Sequence, residues 1–288
     1  MSLPQISATE LMTYDLCPMR RHWRYKAGQN KCGLEAKEID EKLHLGRFVH
    51  EVLDLFVTKG TMPATAGLEY ARREQRPEVL PYEAASAVLA GYASHYPLEP
   101  KLKVILHEHP FLFSDINEQH VGAEVVGRLD LLYEDTDGLL VLRENKYWSK
   151  RATIPEFQTI QTTIYCAAVL KLTGMWPSFV EWNILRQPDD RGKTKDGWLE
   201  KVVKDATFER RLVPVCPEEI LSSWKWQVQG KILSMDGLIP SMNTWNCMAY
   251  SRPCEYMPLC RERLAGREPM EEHFAKYEHK ETKHPELK

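Results

Sequence analysis

No stretch of this chain is apolar over the length that a bilayer crossing needs, so neither a membrane-spanning helix nor a membrane partner is expected. The N-terminus lacks a basic segment followed by an apolar one. Without such an export signal, the expected compartment is the reducing cytoplasm. An excess of positive charge is missing too. With 38 Lys and Arg against 41 Asp and Glu, the formal net charge is −3, so a polyanion must be held by a local basic patch or by bound cations. Internal repeats and low-complexity linkers are absent. One continuous domain over residues 1–265 is therefore expected, followed by a charged tail, 266–288, read as a solvated extension. What is present is an ordinary globular composition, 43% hydrophobic and 27% charged.

Four cysteines stand out. Cys17 lies near the start, and Cys247, Cys254 and Cys260 lie near the end, with spacers of six and five residues. The segment from Asn246 to Cys254 has little apolar periodicity, so ligation of thiolates would order it and join the two chain ends in a lobe made of residues 1–30 and 240–265. Zinc sites favour cysteines two to four residues apart, whereas a [4Fe–4S] cube accepts longer spacers and a distant fourth ligand. The spacing favours the cluster, with zinc and unliganded thiols as alternatives. Cys32, Cys166 and Cys216 are expected as buried structural thiols.

The second constellation is central. Val125 to Tyr133 and Leu139 to Trp148 read as strands around the turn Asp135-Thr136-Asp137-Gly138. A tight hairpin there puts Asp130 opposite position 143, give or take one, and so beside Glu144; period two places Glu144 and Lys146 on one face. Two carboxylates and an ammonium at one spot suit a hard divalent cation, Mg²⁺ or Mn²⁺. A solvated hairpin with a cross-strand ion pair is the bland alternative. Thr153-Ile154-Pro155-Glu156 reads as a capping box, predicting a helix that carries Gln161 and Tyr165 on one face. Leu45 to Leu53 reads as an amphipathic helix carrying His50, with Gly60 ending it. Further strands are expected at Lys103–Phe113, Phe179–Arg186 and Trp198–Val203, and a helix at Pro217–Leu233. Basic and aromatic residues alternate at Arg20 to Lys26, and at Tyr147, Trp148, Lys150 and Arg151, as in surfaces that hold single strands.

In order, His50, Gly127-x-x-Asp130, Glu144-x-Lys146 and Gln161-x3-Tyr165 resemble the PD-(D/E)XK nuclease superfamily, in its RecB-like branch. With Cys17 before them and the cysteine triad after, the chain is similar to the iron–sulfur nucleases of that branch, which include CRISPR-associated exonucleases and AddB-type subunits. The resemblance runs from about Ser7 to Glu262, with one departure, Arg143, where an apolar residue is usual. It implies an α/β fold, a central mixed sheet flanked by helices, with an iron–sulfur lobe. It implies His50, Asp130 and Glu144 as ligands of Mg²⁺ or Mn²⁺, Lys146 as the catalytic lysine, and Gln161 and Tyr165 as residues that position the site or touch DNA. The expected activity is metal-dependent exonucleolytic hydrolysis of DNA, single-stranded or at ends, with little sequence specificity. The setting implied is recombination, repair, phage DNA metabolism or CRISPR adaptation in a bacterium, archaeon or phage, with partner proteins or a homo-oligomer. The alternative is a non-catalytic DNA-binding subunit stabilised by the cluster or by zinc.

Overall fold

Val, Leu, Ile and aromatic residues alternate with small and polar ones between positions 103 and 148, and this pattern sets three antiparallel strands at the centre of the molecule. The structure, a computed structural model, describes residues 3–27, 32–37, 41–60, 66–75, 80–97, 102–116, 119–148, 159–186, 207–235, 240–243, 246–247 and 253–284. The chain opens with β1 (Gln5–Ser7), α1 (Ala8–Leu16), α2 (Pro18–Tyr25) and β2 (Leu34–Ala36). Three helices follow, α3 (Glu41–Lys59), α4 (Ala66–Arg73) and α5 (Leu80–His95), then β3 (Lys103–Ile116), β4 (Gln119–Glu134) and β5 (Leu140–Trp148). Next come α6 (Ile160–Thr173), β6 (Phe179–Arg186), β7 (Phe208–Pro214), α7 (Pro217–Ser223), a π-helical stretch (Trp224–Gln229) and α8 (Gly230–Met235). The chain closes with α9 (Met257–Leu264), α10 (Glu271–Phe274) and β8 (Tyr277–His279).

Six strands form one mixed sheet in the order β1-β4-β5-β6-β7, with β3 also on β4. Because β3 takes one edge of β4 throughout, β1 and β5 share the other edge. β1 runs parallel to Glu124–Val126, and β5 pairs antiparallel from Leu131↔Arg143 to Glu134↔Leu140. Between them, Gly127 to Asp130 has no strand partner on that edge among the described residues. This gap positions the site. The expected hairpin register holds: Leu131↔Arg143 puts Asp130 level with Glu144.

Helices cover both faces, giving the expected α/β architecture. Leu132, Leu142, Trp182 and Ile184 pack with residues of α1, α6, α7 and α8. Leu185, which points the other way from Ile184, packs with α3, α4 and α5. Arg143, the apolar position that departs from pattern, is 1% exposed yet keeps its place by an ion pair with Glu181 and by stacking on the Tyr133 ring.

The helix start changes, and two expectations fall outside the described residues. The helix carrying Gln161 opens at Ile160: Thr159 is extended, its hydroxyl accepts from the Thr162 N–H at 3.2 Å, and the Thr162 hydroxyl accepts from the Thr159 N–H at 2.7 Å. The box foreseen at Thr153–Glu156 lies outside the described residues, as does the strand foreseen at Trp198–Val203. The strand that pairs with β6 is Phe208–Pro214, which its charged Glu209-Arg210-Arg211 run concealed.

The tail is not a solvated extension. β8 pairs with β2, Tyr277 stacks on Tyr256 with ring centroids 5.6 Å apart, and His284 is 3% exposed. Lys283 reaches the Gln5 carbonyl at 2.7 Å and the buried carboxylate of Glu10 at 3.0 Å. Overall charge suggested solvent, but apolar Tyr277 and one buried acid were enough to dock it.

Candidate metal centre

Chemistry collects where β4 changes partner. Past Leu131↔Arg143 the two strands part, and a side chain continues the ladder: the Asn145 N–H donates to Asp130 Oδ2 at 2.8 Å. On β5, Leu142, Glu144 and Lys146 alternate onto the face covered by α6. Lys146 Nζ lies 2.8 Å from Glu144 Oε2, and Gln161 Nε2 on α6 donates to the same oxygen at 3.1 Å. The other oxygen, Glu144 Oε1, is buried without a hydrogen-bond partner among the described residues. From α3, His50 Nδ1 stands 3.5 Å from Asp130 Oδ1 and 3.9 Å from Glu108 Oε1.

Sequence reasoning missed Glu108. It lies across from Asp130, between the pairs His107↔Leu131 and His109↔Leu129. Its φ of +40° is left-handed, a conformation that costs about 1–3 kcal/mol for a residue of this kind and gathers at functional sites. The signal was hidden by register shifts within the β3–β4 pairing, between Val104 and Leu106 and between Phe113 and Asp115. His50, Glu108 and Asp130 each offer a ligand atom, all within 4.8 Å of one another, and among the described residues no other set of three His, Cys, Asp or Glu does so.

The electrostatics ask for a cation. Burial pushes the Glu144 carboxyl above its ordinary range, with Asp130 adding to the rise, while Lys146 and His50 pull it down. Burial works against the charge on Lys146, yet Glu144 and Asp130 outweigh it and keep the ammonium protonated. Burial also lowers His50, but Asp130 and Glu108 raise it to about 9. Three carboxylates thus face one lysine and one imidazole. An imidazole with hard carboxylate oxygens, one of them unpartnered, fits a divalent ion of the Mg²⁺ or Mn²⁺ kind.

Tyr165 sits half-buried on α6 and packs edge-on against Phe111, with centroids 5.6 Å apart. The same Phe111 ring explains Gly127, where an added Cβ would lie 2.4 Å from Phe111 Cζ. Gln161 thus meets Glu144 directly, and Tyr165 meets the wall behind the Gly127–Asp130 gap.

The cysteines lie elsewhere. Cys17 and Cys260 are buried in one core with Trp23, Tyr256 and Tyr277, and the half-buried Cys254 packs against it. The Cys254 N–H donates to the Cys247 carbonyl at 2.7 Å. Two sulfurs accept N–H bonds, Cys260 from the Trp23 indole at 3.3 Å and Cys17 from the Asn243 backbone at 3.4 Å. No three cysteine sulfurs close to the 4.8 Å spacing met at the carboxylates. Of the remaining thiols only Cys166 is buried; Cys32 and Cys216 are partly exposed, contrary to expectation.

In the first basic–aromatic stretch, alternate residues turn inward. Trp23 and Tyr25 are 2% and 5% exposed, and Arg21 is buried against Glu10 at 2.7 Å. Arg20 is held by Glu255 at 2.9 Å. Helical spacing turned this face inward, where guanidinium stems and rings cover the cysteine core. In the second stretch, Tyr147 packs beside the α3–α5 core, while Lys150 and Arg151 lie outside the described residues.

No helix among the described residues is long and apolar enough to cross a membrane. No curated protein matches the chain. A solved structure described as "Crystal structure of SSO0001" aligns with 72% of this chain and 91% of its own, at 11% identity and a TM-score of 0.30. The family model for the PD-(D/E)XK nuclease superfamily matches residues 5–261. That span takes in β1 through α9 and every carboxylate, lysine and imidazole just described, and the chain belongs to the PD-(D/E)XK nuclease superfamily.

Proposed function

We propose that the protein is a Mg²⁺- or Mn²⁺-dependent DNA exonuclease of the RecB-like, iron–sulfur type, acting on single strands or DNA ends. One observation carries this reading: Asp130 stands with His50 and Glu108 on one side and beside the buried Glu144–Lys146 pair on the other, and Glu144 Oε1 has no hydrogen-bond partner among the described residues. His50, Glu108, Asp130 and Glu144 would hold the ion. When bound, it supplies Lewis acidity toward a phosphate oxygen and acidifies a water. Lys146, kept protonated by Glu144 and Asp130, faces charge that develops on the phosphate. Gln161 fixes the rotamer of Glu144 through Oε2 and so leaves Oε1 aimed at the ion. Tyr165 is assigned to positioning the site.

Cys17, Cys247, Cys254 and Cys260 are assigned to a [4Fe–4S] cluster that joins the chain ends. Supporting this are the core shared by Cys17, Cys254 and Cys260 and the N–H donors on two sulfurs, the kind of bond that tunes cluster thiolates. Burial pushes the Cys254 thiol up to about 11, so its ionisation needs cationic charge beside it. Bulk negative charge gives DNA no general attraction, which places binding on the ion and Lys146. Recombination or CRISPR-adaptation proteins, or a second copy of the chain, are the partners this assignment implies.

The test is end-labelled single- and double-stranded DNA incubated with Mn²⁺. Wild type shortens the label from its ends, and Lys146→Ala does not, although it still binds Mn²⁺. Near-wild-type cleavage by Lys146→Ala would move the active site elsewhere. Anaerobic protein is expected to be brown with about four iron and four sulfide per chain. A colourless preparation with stoichiometric zinc would remove the cluster.

A further inference from the structure

Asn145 stands between Glu144 and Lys146, and it belongs to a polar row that crosses the sheet. Its register partner on β6 is Asn183, whose own partner on β7 is Arg210. The side chains follow the same line. Asn183 Nδ2 donates to Asn145 Oδ1 at 2.7 Å, and Arg210 Nε donates to Asn183 Oδ1 at 3.2 Å. Tyr92 of α5 fixes the far end, its hydroxyl accepting from Asn183 Nδ2 at 2.9 Å, and the Arg210 guanidinium lies 3.5 Å over the Tyr96 ring. At the near end, the Asn145 N–H donates to Asp130 Oδ2.

Asn145 and Asn183 are buried, at 9% and 1% exposure. Burying such amides is unfavourable unless every polar atom is paired, and apolar residues of the same size would pack these strands at least as well. Stability alone gives no reason for the row. Its position does. Past Arg143, β5 has lost β4 as a backbone partner, so the aim of the Asn145 N–H depends on what grips Asn145 from the β6 side.

We propose that Asn183, backed by Arg210, is a positioning residue for the metal centre. By gripping the Asn145 amide it aims the Asn145 N–H at Asp130 Oδ2, which turns Oδ1 toward His50 and the ion. The assignment rests on Asp130 being a metal ligand, and it adds a dependence on β6 and β7 that the family motifs do not contain. Loosening partners behind a metal ligand lowers metal affinity or turnover by about 10–100-fold.

The experiment compares wild type, Asn183→Leu, Arg210→Leu and Arg210→Lys by Mn²⁺ titration, single-turnover DNA cleavage, KM for DNA and thermal melting. Asn183→Leu is expected to weaken Mn²⁺ about 10–100-fold and to lower kcat comparably, with KM for DNA nearly unchanged. Arg210→Leu follows in the same direction with a smaller loss. Arg210→Lys restores most of it, because an ammonium still reaches Asn183. Arg210 sits on the last strand of the sheet among the described residues, at 20% side-chain exposure, so its variants fold even where Asn183→Leu does not. Folded variants with wild-type Mn²⁺ affinity and kcat would overturn the positioning role while leaving the nuclease reading intact. Wild type that neither binds Mn²⁺ nor cleaves DNA would overturn both.

Discussion

Two carboxylates are fully buried among the described residues, Glu10 and Glu144, and their surroundings differ. Glu10, in the lobe that gathers the chain ends, meets Arg21 at 2.7 Å, Lys283 at 3.0 Å and His284 at 3.6 Å. Both of its oxygens lie against cations, although Oε2, like Glu144 Oε1, makes no hydrogen bond among the described residues. Glu144, at the strand gap, uses one oxygen for Lys146 and Gln161, and its other oxygen is buried without a hydrogen bond among the described residues. Across the gap, Glu108 holds a left-handed backbone, and Asp130 crowds Glu108 on one side and Glu144 on the other. One region has its electrostatics settled by its own side chains. The other is arranged to be settled by something that binds. A buried charge faced by several cations joins segments, while one crowded by like charge stores unfavourable energy that a ligand can release.

The largest expected effect separates the two acids by activity. Asp130→Ala and Glu144→Ala should each reduce DNA cleavage by about 10²–10³-fold or more and weaken Mn²⁺ binding, whereas Glu10→Gln should leave per-molecule cleavage within about twofold. Single-turnover assays on end-labelled DNA read this. Equal losses at Glu10 and Glu144 would erase the distinction.

Stability should rank them the other way. Glu10→Gln removes the partner of the buried Arg21 and the half-buried Lys283 and is expected to destabilise by about 3–5 kcal/mol. Ending the chain after Ala275 should do similar damage, since it deletes β8, Tyr277 and Lys283. Glu144→Gln in metal-free protein should cost little or raise the melting temperature. Urea unfolding without metal checks all three, and a Glu144→Gln loss as large as that of Glu10→Gln would break the comparison.

His50 gives the open region a pH signature. Its pKa is raised from 6.5 to about 9 because Asp130 and Glu108 outweigh burial, so its stabilising contribution is full below about 6.5 and disappears as pH rises through about 9. Metal-free protein should therefore lose stability across that window, and His50→Gln should flatten the trend. Mn²⁺ affinity should rise over the same window, since the ion displaces the proton. Melting curves and Mn²⁺ titrations between pH 6 and 10 test the sign.

Glu108→Asn keeps a residue that tolerates positive φ while removing a carboxylate. It is expected to lower Mn²⁺ affinity about tenfold and to raise metal-free stability by about 1 kcal/mol. Unchanged Mn²⁺ affinity would remove Glu108 from the centre. The smallest effect is expected at Tyr165→Phe, where the ring still packs on Phe111. Turnover should fall more than DNA affinity, and identical kinetics would make Tyr165 purely a core residue.

Sequence by itself determined what local rules control. Period two and the Asp135–Gly138 turn set the register that brings Asp130 level with Glu144 and puts Lys146 beside it. Gly60 and the His50 helix were legible from the helix stop and the apolar stripe for the same reason. What only the tertiary structure decided involves partners far apart in the chain. Glu108 reaches the site because β3 lies on β4 with shifted register, and its backbone strain has no sequence mark. Arg21, Trp23 and Tyr25 look like a polyanion-binding face until the tail and the cysteine core cover them. The tail docks because Glu10 has room for a second cation, a fact set by burial rather than by composition. Residues near in sequence constrain one another through backbone geometry, which a pattern reveals. Residues far apart meet only after the sheet has closed, and there burial and pairing of charge decide the outcome.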